Sequence, residues 1–170
     1  MSTAETLPTA AAVELARIAI ELLVPPGHTV AVAESLTGGL VVAALTSVPG
    51  SSAVLRGGIV AYATDLKTEL LGVPADLLAR HGPVHHEVAA AMATGVRQRL
   101  GATYGAATTG VAGPGPADGH PQGTVYIAVA GPGGVADVGL RLSGDRQQVR
   151  EQTVKSVLSL LVSALREDDR

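Results

Sequence analysis

Residues 29–40, Thr-Val-Ala-Val-Ala-Glu-Ser-Leu-Thr-Gly-Gly-Leu, predict the unit around which this chain folds. The apolar run 30–33 predicts a buried strand, and the Thr-Gly-Gly turn opens an apolar segment, about 40–46, that predicts a helix. Such a unit exposes unpaired backbone N–H groups at the helix start, beside Ser35, where an anion or a developing oxyanion fits. The alternative is that Ser35 and Thr37 only cap the helix, and this turn chemistry taken alone favours the cap.

The rest of the chain predicts helices and strands that alternate around this unit. An amphipathic helix over 11–24 precedes it, and Thr64 is the expected N-cap of the helix that follows the second strand. Further helices are predicted over 66–71, 75–81, 86–100 and from 145 to about 166, and strands over 57–62, 103–109, 124–130 and 135–142. This order predicts an α/β protein with a single three-layer α/β/α domain and a mixed sheet over 11–167, after a flexible N-terminus at 1–10.

Composition excludes several classes of function. The 170-residue chain has no Cys, Phe or Trp and a net charge of -3. Disulfides and thiolate metal sites are therefore impossible, and a nucleic-acid partner is not expected. No apolar run is long enough to span a membrane and no signal peptide is visible, so we expect a cytoplasmic protein that does not associate with membranes.

Lysine usage singles out Lys67. The chain has only two lysines against ten arginines. Lys155 follows Glu151 by four residues and is explained as a helix-surface pair, whereas no such partner precedes or follows Lys67. Unlike arginine, lysine loses its proton when it is desolvated, which suits acid–base work or activation of a nucleophile. The alternative is a solvated lysine on the first turn of a helix.

Other polar residues stand at the ends of the predicted elements. Tyr62 ends the second strand, and Thr109 ends the third, directly before the Gly- and Pro-rich loop 110–123, whose length is typical of a functional loop. Arg146 and Arg150 share one face of the last helix, and a cation at a helix start indicates an anionic partner for Arg146, because the dipole disfavours it there.

Metal and dinucleotide sites find little support in these patterns. Four histidines, His81, His85, His86 and His120, are not flanked by cysteines or clustered carboxylates. We therefore expect no metal site. No Walker motif is present and no Gly-x-Gly-x-x-Gly follows a strand, so we expect no cofactor.

Taken together, these signals form an ordered set of motifs over about 11–166 that resembles the CinA C-terminal domain family. The motifs are Ala-Glu-Ser-Leu-Thr-Gly-Gly (33–39), Gly-Ser-Ser-Ala (50–53), Gly-Gly-Ile-Val-Ala-Tyr (57–62), Leu-Leu-Gly-Val (70–73), His-Gly-Pro-Val (81–84), Thr-Gly-Val-Ala-Gly-Pro-Gly (109–115), Gly-Thr-Val-Tyr-Ile (123–127) and Gly-Asp-Arg (144–146). The resemblance implies an amidohydrolase that converts nicotinamide mononucleotide to nicotinic acid mononucleotide and ammonia in pyridine nucleotide salvage, without a metal. It also implies the stand-alone form of the domain, since the chain begins with the first helix.

The resemblance also implies roles for individual residues. Ser35, Lys67 and Tyr62 match the catalytic positions, with Ser35 as a covalent nucleophile or as a residue that only orients the amide while water is activated. The expected substrate-binding residues are Glu34, Thr37, Gly38, Gly39, Thr109, Gly110, Gly113, Gly115 and Arg146. Arg146 is expected to hold the 5′-phosphate, assisted by backbone N–H groups of the 113–115 turn or of the last helix.

The chain departs from the family pattern at the segment 63–66, at His85, where Ser is common, and at Pro116, where Gly is common. These departures bear on loop contacts and on substrate preference, and they leave the serine and lysine in place. The alternative function is a non-catalytic CinA-type domain that binds a nucleotide or a partner protein. The resemblance further suggests a homo-oligomer.

Overall fold

The computed structural model describes residues 7–169. Its six helices are α1 (Ala10–Leu23), α2 (Leu40–Thr46), α3 (Thr64–Leu71), α4 (Ala75–His81), α5 (His86–Arg99) and α6 (Arg146–Asp168), and its five strands are β1 (Val30–Glu34), β2 (Leu55–Val60), β3 (Tyr104–Gly110), β4 (Thr124–Gly131) and β5 (Gly134–Arg141). A short 3-10 helix, Ser51–Ala53, precedes β2. The predicted α/β class is confirmed.

The five strands form one mixed sheet in the order β2-β1-β3-β4-β5. Strands β2, β1 and β3 are parallel, and β3, β4 and β5 are joined by antiparallel pairing. Because they are parallel, these three neighbouring strands end at the same edge of the sheet. Open α/β sheets bind their ligands at this edge.

Helices cover both faces of the sheet, as the three-layer prediction requires. Alternation along β1 assigns Val30 and Val32 to a core shared with α1, α2 and α6, and Ala31 and Ala33 to a core shared with α3, α4 and α5. The strands contribute only alanines to the buried part of the second core, so α5 lies close to the sheet. A Cβ on Gly105 would come within 2.1 Å of the Ala93 carbonyl oxygen, and only glycine fits there.

Most predicted boundaries shift by one or two residues, and the predicted N-cap of α3 is wrong. Thr64 is the first residue of α3 and not its N-cap, because Ala63 holds the extended backbone that precedes the helix. Residues 1–6 of the predicted flexible stretch lie outside the described residues, whereas Thr9 is buried and its hydroxyl caps α1. Within residues 7–169, no helix combines the length and apolar character needed to cross a membrane.

Candidate active site

A pocket of about 210 Å³ opens at the edge of the sheet where β1, β2 and β3 end. Its walls come from the residues that follow these strands, from the Gly- and Pro-rich loop and from the start of α6. Among the residues that we predicted to form the site, eight line this pocket: Ser35, Tyr62, Lys67, Thr109, Gly110, Gly113, Gly115 and Arg146. Four others, Glu34, Thr37, Gly38 and Gly39, lie outside its walls.

Ser35 is held at the end of β1 by the neighbouring strand. Its N–H donates to the carbonyl oxygen of Thr108 at 3.1 Å, which extends the β1–β3 ladder by one residue. The side chain is buried and lines the pocket. The serine therefore sits at the predicted strand end, with its backbone fixed by the sheet.

Glu34 occupies the helix start that we expected to be free for an anion. Its carboxylate accepts hydrogen bonds from the N–H groups of Gly39, Val41 and Val42 at 3.0–3.1 Å, and the side chain is fully buried. Both sequence interpretations of this turn are therefore wrong: Glu34 caps α2, not Ser35 or Thr37, and the amides are not free for a substrate. A carboxylate suits this position because the helix dipole is positive there.

Two further contacts fix the turn between Ser35 and α2. The Thr37 hydroxyl lies 2.8 Å from the Thr108 hydroxyl in the interior. Arg150 of α6 donates to the carbonyl oxygens of Leu36 at 2.9 Å and Thr37 at 3.1 Å. Thr37 and Arg150 therefore position the loop that carries the serine, and neither side chain lines the pocket.

The buried amine of Lys67 meets the serine hydroxyl. Lys67 lies in the first turn of α3 and is 1% exposed. Its Nζ lies 3.1 Å from Ser35 Oγ, 2.7 Å from the Ala61 carbonyl oxygen and 3.4 Å from the Tyr62 carbonyl oxygen. The scarcity of lysine and the strand-end position of the serine singled out these two side chains, and the structure places them in hydrogen-bond contact.

The environment of Lys67 favours the neutral amine. No ion pair within residues 7–169 includes this amine. Burial lowers the pKa of Lys67 to about 8, while the negative charge of Asp118 acts in the opposite direction. A lysine tuned in this way can accept a proton near neutral pH.

Arg146 and Tyr62 meet across the mouth of the pocket. The Arg146 guanidinium donates to the Tyr62 hydroxyl at 3.1 Å and to the Gly113 carbonyl oxygen at 2.6 Å. Asp145 is the N-cap of α6 and its carboxylate bonds Gln148, so it does not pair with Arg146. Tyr62 is 60% exposed, so its hydroxyl stands at the rim, whereas Ser35 and Lys67 lie deeper.

The Gly- and Pro-rich loop is tied down and forms one wall. Gln122 accepts from the Gly115 N–H at 3.1 Å and donates to the Gly144 carbonyl oxygen at 2.9 Å, which links the loop to the start of α6. The Gly115 N–H is thus already used, contrary to the expectation that it assists in phosphate binding. Thr109 donates its hydroxyl to the Pro83 carbonyl oxygen at 2.7 Å, which joins the end of β3 to the α4–α5 turn.

Sequence reasoning missed two groups in this pocket. Asp118 lines the wall and carries a positive φ of 51°, a conformation that Asp tolerates in turns. Leu36, which follows Ser35, also lines the pocket, and among the described residues its N–H has no hydrogen-bond partner. The position of Leu36 directly after the serine could have indicated that it lines the pocket. For Asp118 the only indication in the sequence was that it belongs to the Gly- and Pro-rich loop.

Similar proteins place this architecture among known relatives. A "CinA-like protein" of Frankia casuarinae is 55% identical over 85% of this chain, and one of Anaeromyxobacter sp. (strain K) is 49% identical over 90%. The chain spans about a third of the length of these curated relatives, 33% and 38% respectively.

Solved structures agree with the sequence relatives. The competence/damage inducible protein CihA from Agrobacterium tumefaciens superimposes with a TM-score of 0.89 at 38% identity, covering 95% of this chain and 98% of that one. A CinA superfamily protein from Klebsiella pneumoniae gives 0.87 at 32%, covering 92% and 98%. The family model for the CinA C-terminal domain matches residues 12–165. This chain therefore belongs to the CinA C-terminal domain family.

Proposed function

We propose that this domain is an amidohydrolase that converts nicotinamide mononucleotide to nicotinic acid mononucleotide and ammonia. The observation that supports it most strongly is the 3.1 Å contact between Ser35 Oγ and Lys67 Nζ in the pocket. Burial of the lysine side chain lowers its pKa to about 8. A hydroxyl beside a neutral amine is the arrangement of a nucleophile with its general base.

The reaction follows from these two groups. Neutral Lys67 takes the Ser35 proton as Oγ attacks the amide carbon, and then returns a proton to the leaving ammonia. Water, deprotonated by the same amine, hydrolyses the resulting ester, which releases the carboxylate and restores Ser35. In the alternative, Ser35 only orients the amide and Lys67 activates water directly.

The Leu36 N–H is our candidate for stabilising the oxyanion. It belongs to the residue directly after the serine, it is not used within the described part of the chain, and its residue lines the pocket. A backbone donor beside the nucleophile supplies the hydrogen bond that a tetrahedral intermediate needs. This assignment replaces the α2 amides, which Glu34 occupies.

Charged groups on the pocket wall match a mononucleotide with a positively charged ring. Arg146 offers a forked donor for a phosphate at the rim. Asp118 lies on the same wall, and its carboxylate complements the cationic pyridinium of the substrate. One anionic and one cationic partner thus favour a zwitterionic ligand over a simple amide.

The test is ammonia release from nicotinamide mononucleotide by pure protein, measured with a coupled assay against nicotinamide riboside and nicotinamide. We expect turnover of the mononucleotide and much weaker turnover of the two compounds that lack the phosphate. Saturable binding of the mononucleotide without ammonia release would instead identify a non-catalytic binding domain. The homo-oligomer also stays a prediction, to be measured by analytical ultracentrifugation of the same sample.

A further inference from the structure

Two histidines meet at the α4–α5 turn, and neither lines the pocket of the serine and lysine. His81 is the last residue of α4, and His85 is the N-cap of α5. Their rings stack with centroids 3.9 Å apart and planes 9° apart. Each of His81, His85 and Glu87 has one potential ligand atom that lies within 4.8 Å of the other two. The sequence analysis weighed His81 and His85 but expected no metal site, because only the turn between α4 and α5 brings their side chains close to Glu87.

The three side chains are able to ligate. His81 and Glu87 are exposed, and no ion pair among residues 7–169 includes either of them. His85 accepts a long hydrogen bond of 3.3 Å from the Glu87 N–H, which a metal bond would replace.

We propose that His81, His85 and Glu87 form a Zn²⁺ site on the outer wall of the pocket. Two imidazoles and one carboxylate are a common donor set for zinc, with water completing the tetrahedron. The ligand atoms need to approach by about 1–1.5 Å to meet zinc at its usual bond lengths of about 2 Å. The two rings are parallel in the stack, so at least one imidazole must rotate out of it before both in-plane lone pairs point to one ion. His81 and Glu87 are exposed and His85 is half-buried.

Zinc at this site acts on the pocket through the turn that it spans. The ligands join the end of α4 to the start of α5 across Gly82, Pro83 and Val84. Pro83 and Val84 line the pocket, and the Pro83 carbonyl oxygen accepts the Thr109 hydroxyl. Bound metal therefore holds one wall of the pocket in place, whereas Ser35 and Lys67 do the chemistry without it.

His86 is the matched control for this assignment. It stands next to His85 in sequence, with ring centroids 4.5 Å apart, but its Nδ1 lies 3.4 Å from the Asp137 carboxylate of β5. His86 is thus directed to a different partner and falls outside the ligand set. His28, which packs against the Tyr104 ring, is a second control, remote from the cluster.

The experiment is a Zn²⁺ titration of the untagged, chelator-stripped chain, followed by calorimetry and by thermal melting. We expect one Zn²⁺ per chain and a higher melting temperature with zinc, because an ion that binds only the folded state stabilises it. His81→Ala, His85→Ala and Glu87→Gln should each weaken binding at least about tenfold, the loss that removal of even an outer-shell partner typically causes. His86→Ala and His28→Ala should bind as the parent does.

Two results would overturn the site. One is the lack of saturable Zn²⁺ binding by the folded parent chain, a measurement that needs no variant. The other is an equal loss of affinity in His86→Ala and in Glu87→Gln, which would indicate a diffuse histidine patch. Glu87→Gln preserves the size of an exposed side chain, so its effect does not depend on whether the histidine variants fold.

Discussion

In the reaction that we propose, the buried amine of Lys67 controls the chemistry of this pocket, because its protonation state decides whether Ser35 has a base. Its partners are a hydroxyl and two carbonyl oxygens, none of which carries a negative charge. Burial therefore destabilises the ammonium form, and the pKa falls from 10.5 to about 8. An arginine in the same place would stay charged, which gives a physical reason for lysine here in an arginine-rich chain.

This pKa predicts the pH dependence of the reaction. The neutral amine is the active form, and with a pKa of about 8 its fraction is small at pH 7 and grows as the pH rises. We expect kcat/KM to increase about tenfold per pH unit below pH 8 and to level off above it. The measurement is kcat/KM between pH 6 and 9.5 on protein that remains folded throughout. A profile that is flat or falls with pH in this range would rule out Lys67 as the base.

Arg146 carries the prediction about the phosphate. Arg146→Ala should raise the KM for nicotinamide mononucleotide about 10- to 100-fold, the value of a lost charge-assisted hydrogen bond or two. The melting temperature should hardly change, because the side chain is exposed. The ratio of kcat/KM for nicotinamide mononucleotide to kcat/KM for nicotinamide riboside should fall in the same variant.

The control for Arg146 is Arg166→Ala, an exposed arginine in the last turn of the same helix. That variant should keep both KM and the substrate preference. If Arg146→Ala also retains the full preference for the phosphorylated substrate, the phosphate is bound elsewhere.

The strand–turn–helix unit of β1 and α2 owes its geometry to an internal carboxylate. Glu34 is the last residue of β1, and its side chain folds back onto three N–H groups at the start of α2. Arg150 holds the same turn from α6 by two carbonyl oxygens. Glu34 before Ser35 and Arg150 at the turn after it thus hold the backbone on both sides of the serine. These contacts fix the position of the serine in the absence of a ligand.

Glu34→Gln tests this cap. The amide keeps the shape of the side chain but presents an NH₂ group to backbone donors and removes the charge that interacts with the dipole. We expect the free energy of unfolding to fall by about 1–3 kcal/mol, the range for hydrogen bonds to a charged group. Urea denaturation measures this free energy, and Glu69→Gln at an exposed position is the control. Equal stability in the two variants would show that Glu34 does not support α2.

The sequence predicted the sheet, the layers and the Ser35–Lys67 pair, because each depends on a local pattern. Parallel strands end at one edge of the sheet, and there Ser35 follows β1 while Lys67 lies in the helix that follows β2. The cap on α2 was not predictable, since Glu34, Ser35 and Thr37 all offer oxygen acceptors and only packing selects among them. Asp118 and the histidine cluster depend on the path of a loop and of a tight turn, which no periodicity encodes.

The whole domain builds the pocket from distant parts of the chain. Ser35 follows β1, Lys67 comes from α3, Thr109 from β3 and Arg146 from α6, and the loop over 110–123 closes the wall. The two cores on either face of the sheet hold these parts together. In the reaction that we propose, catalysis relies on groups that the fold itself supplies.

Treatment with a chelator tests whether turnover needs only protein groups and no metal ion. Turnover of nicotinamide mononucleotide should be unchanged within error after treatment with EDTA and dialysis, because an amine and a hydroxyl perform the chemistry. The zinc that we place at His81, His85 and Glu87 stiffens the α4–α5 turn but takes no part in proton transfer. Its removal should therefore lower the melting temperature and leave kcat unchanged. The measurement is kcat of the treated and untreated protein. Loss of turnover that a single added divalent ion restores would contradict the metal-free mechanism.

The most direct measurement is the rate of ammonia release from nicotinamide mononucleotide by folded Lys67→Arg, beside Lys155→Arg. Lys155 is the other lysine of the chain, and its replacement leaves the pocket untouched. Arginine cannot give up its proton at any pH used in the assay. We predict that Lys67→Arg loses at least about 100-fold in kcat, the lower range for removal of a general base, while Lys155→Arg retains the parent rate. A Lys67→Arg enzyme with most of the parent activity would contradict proton transfer by Lys67.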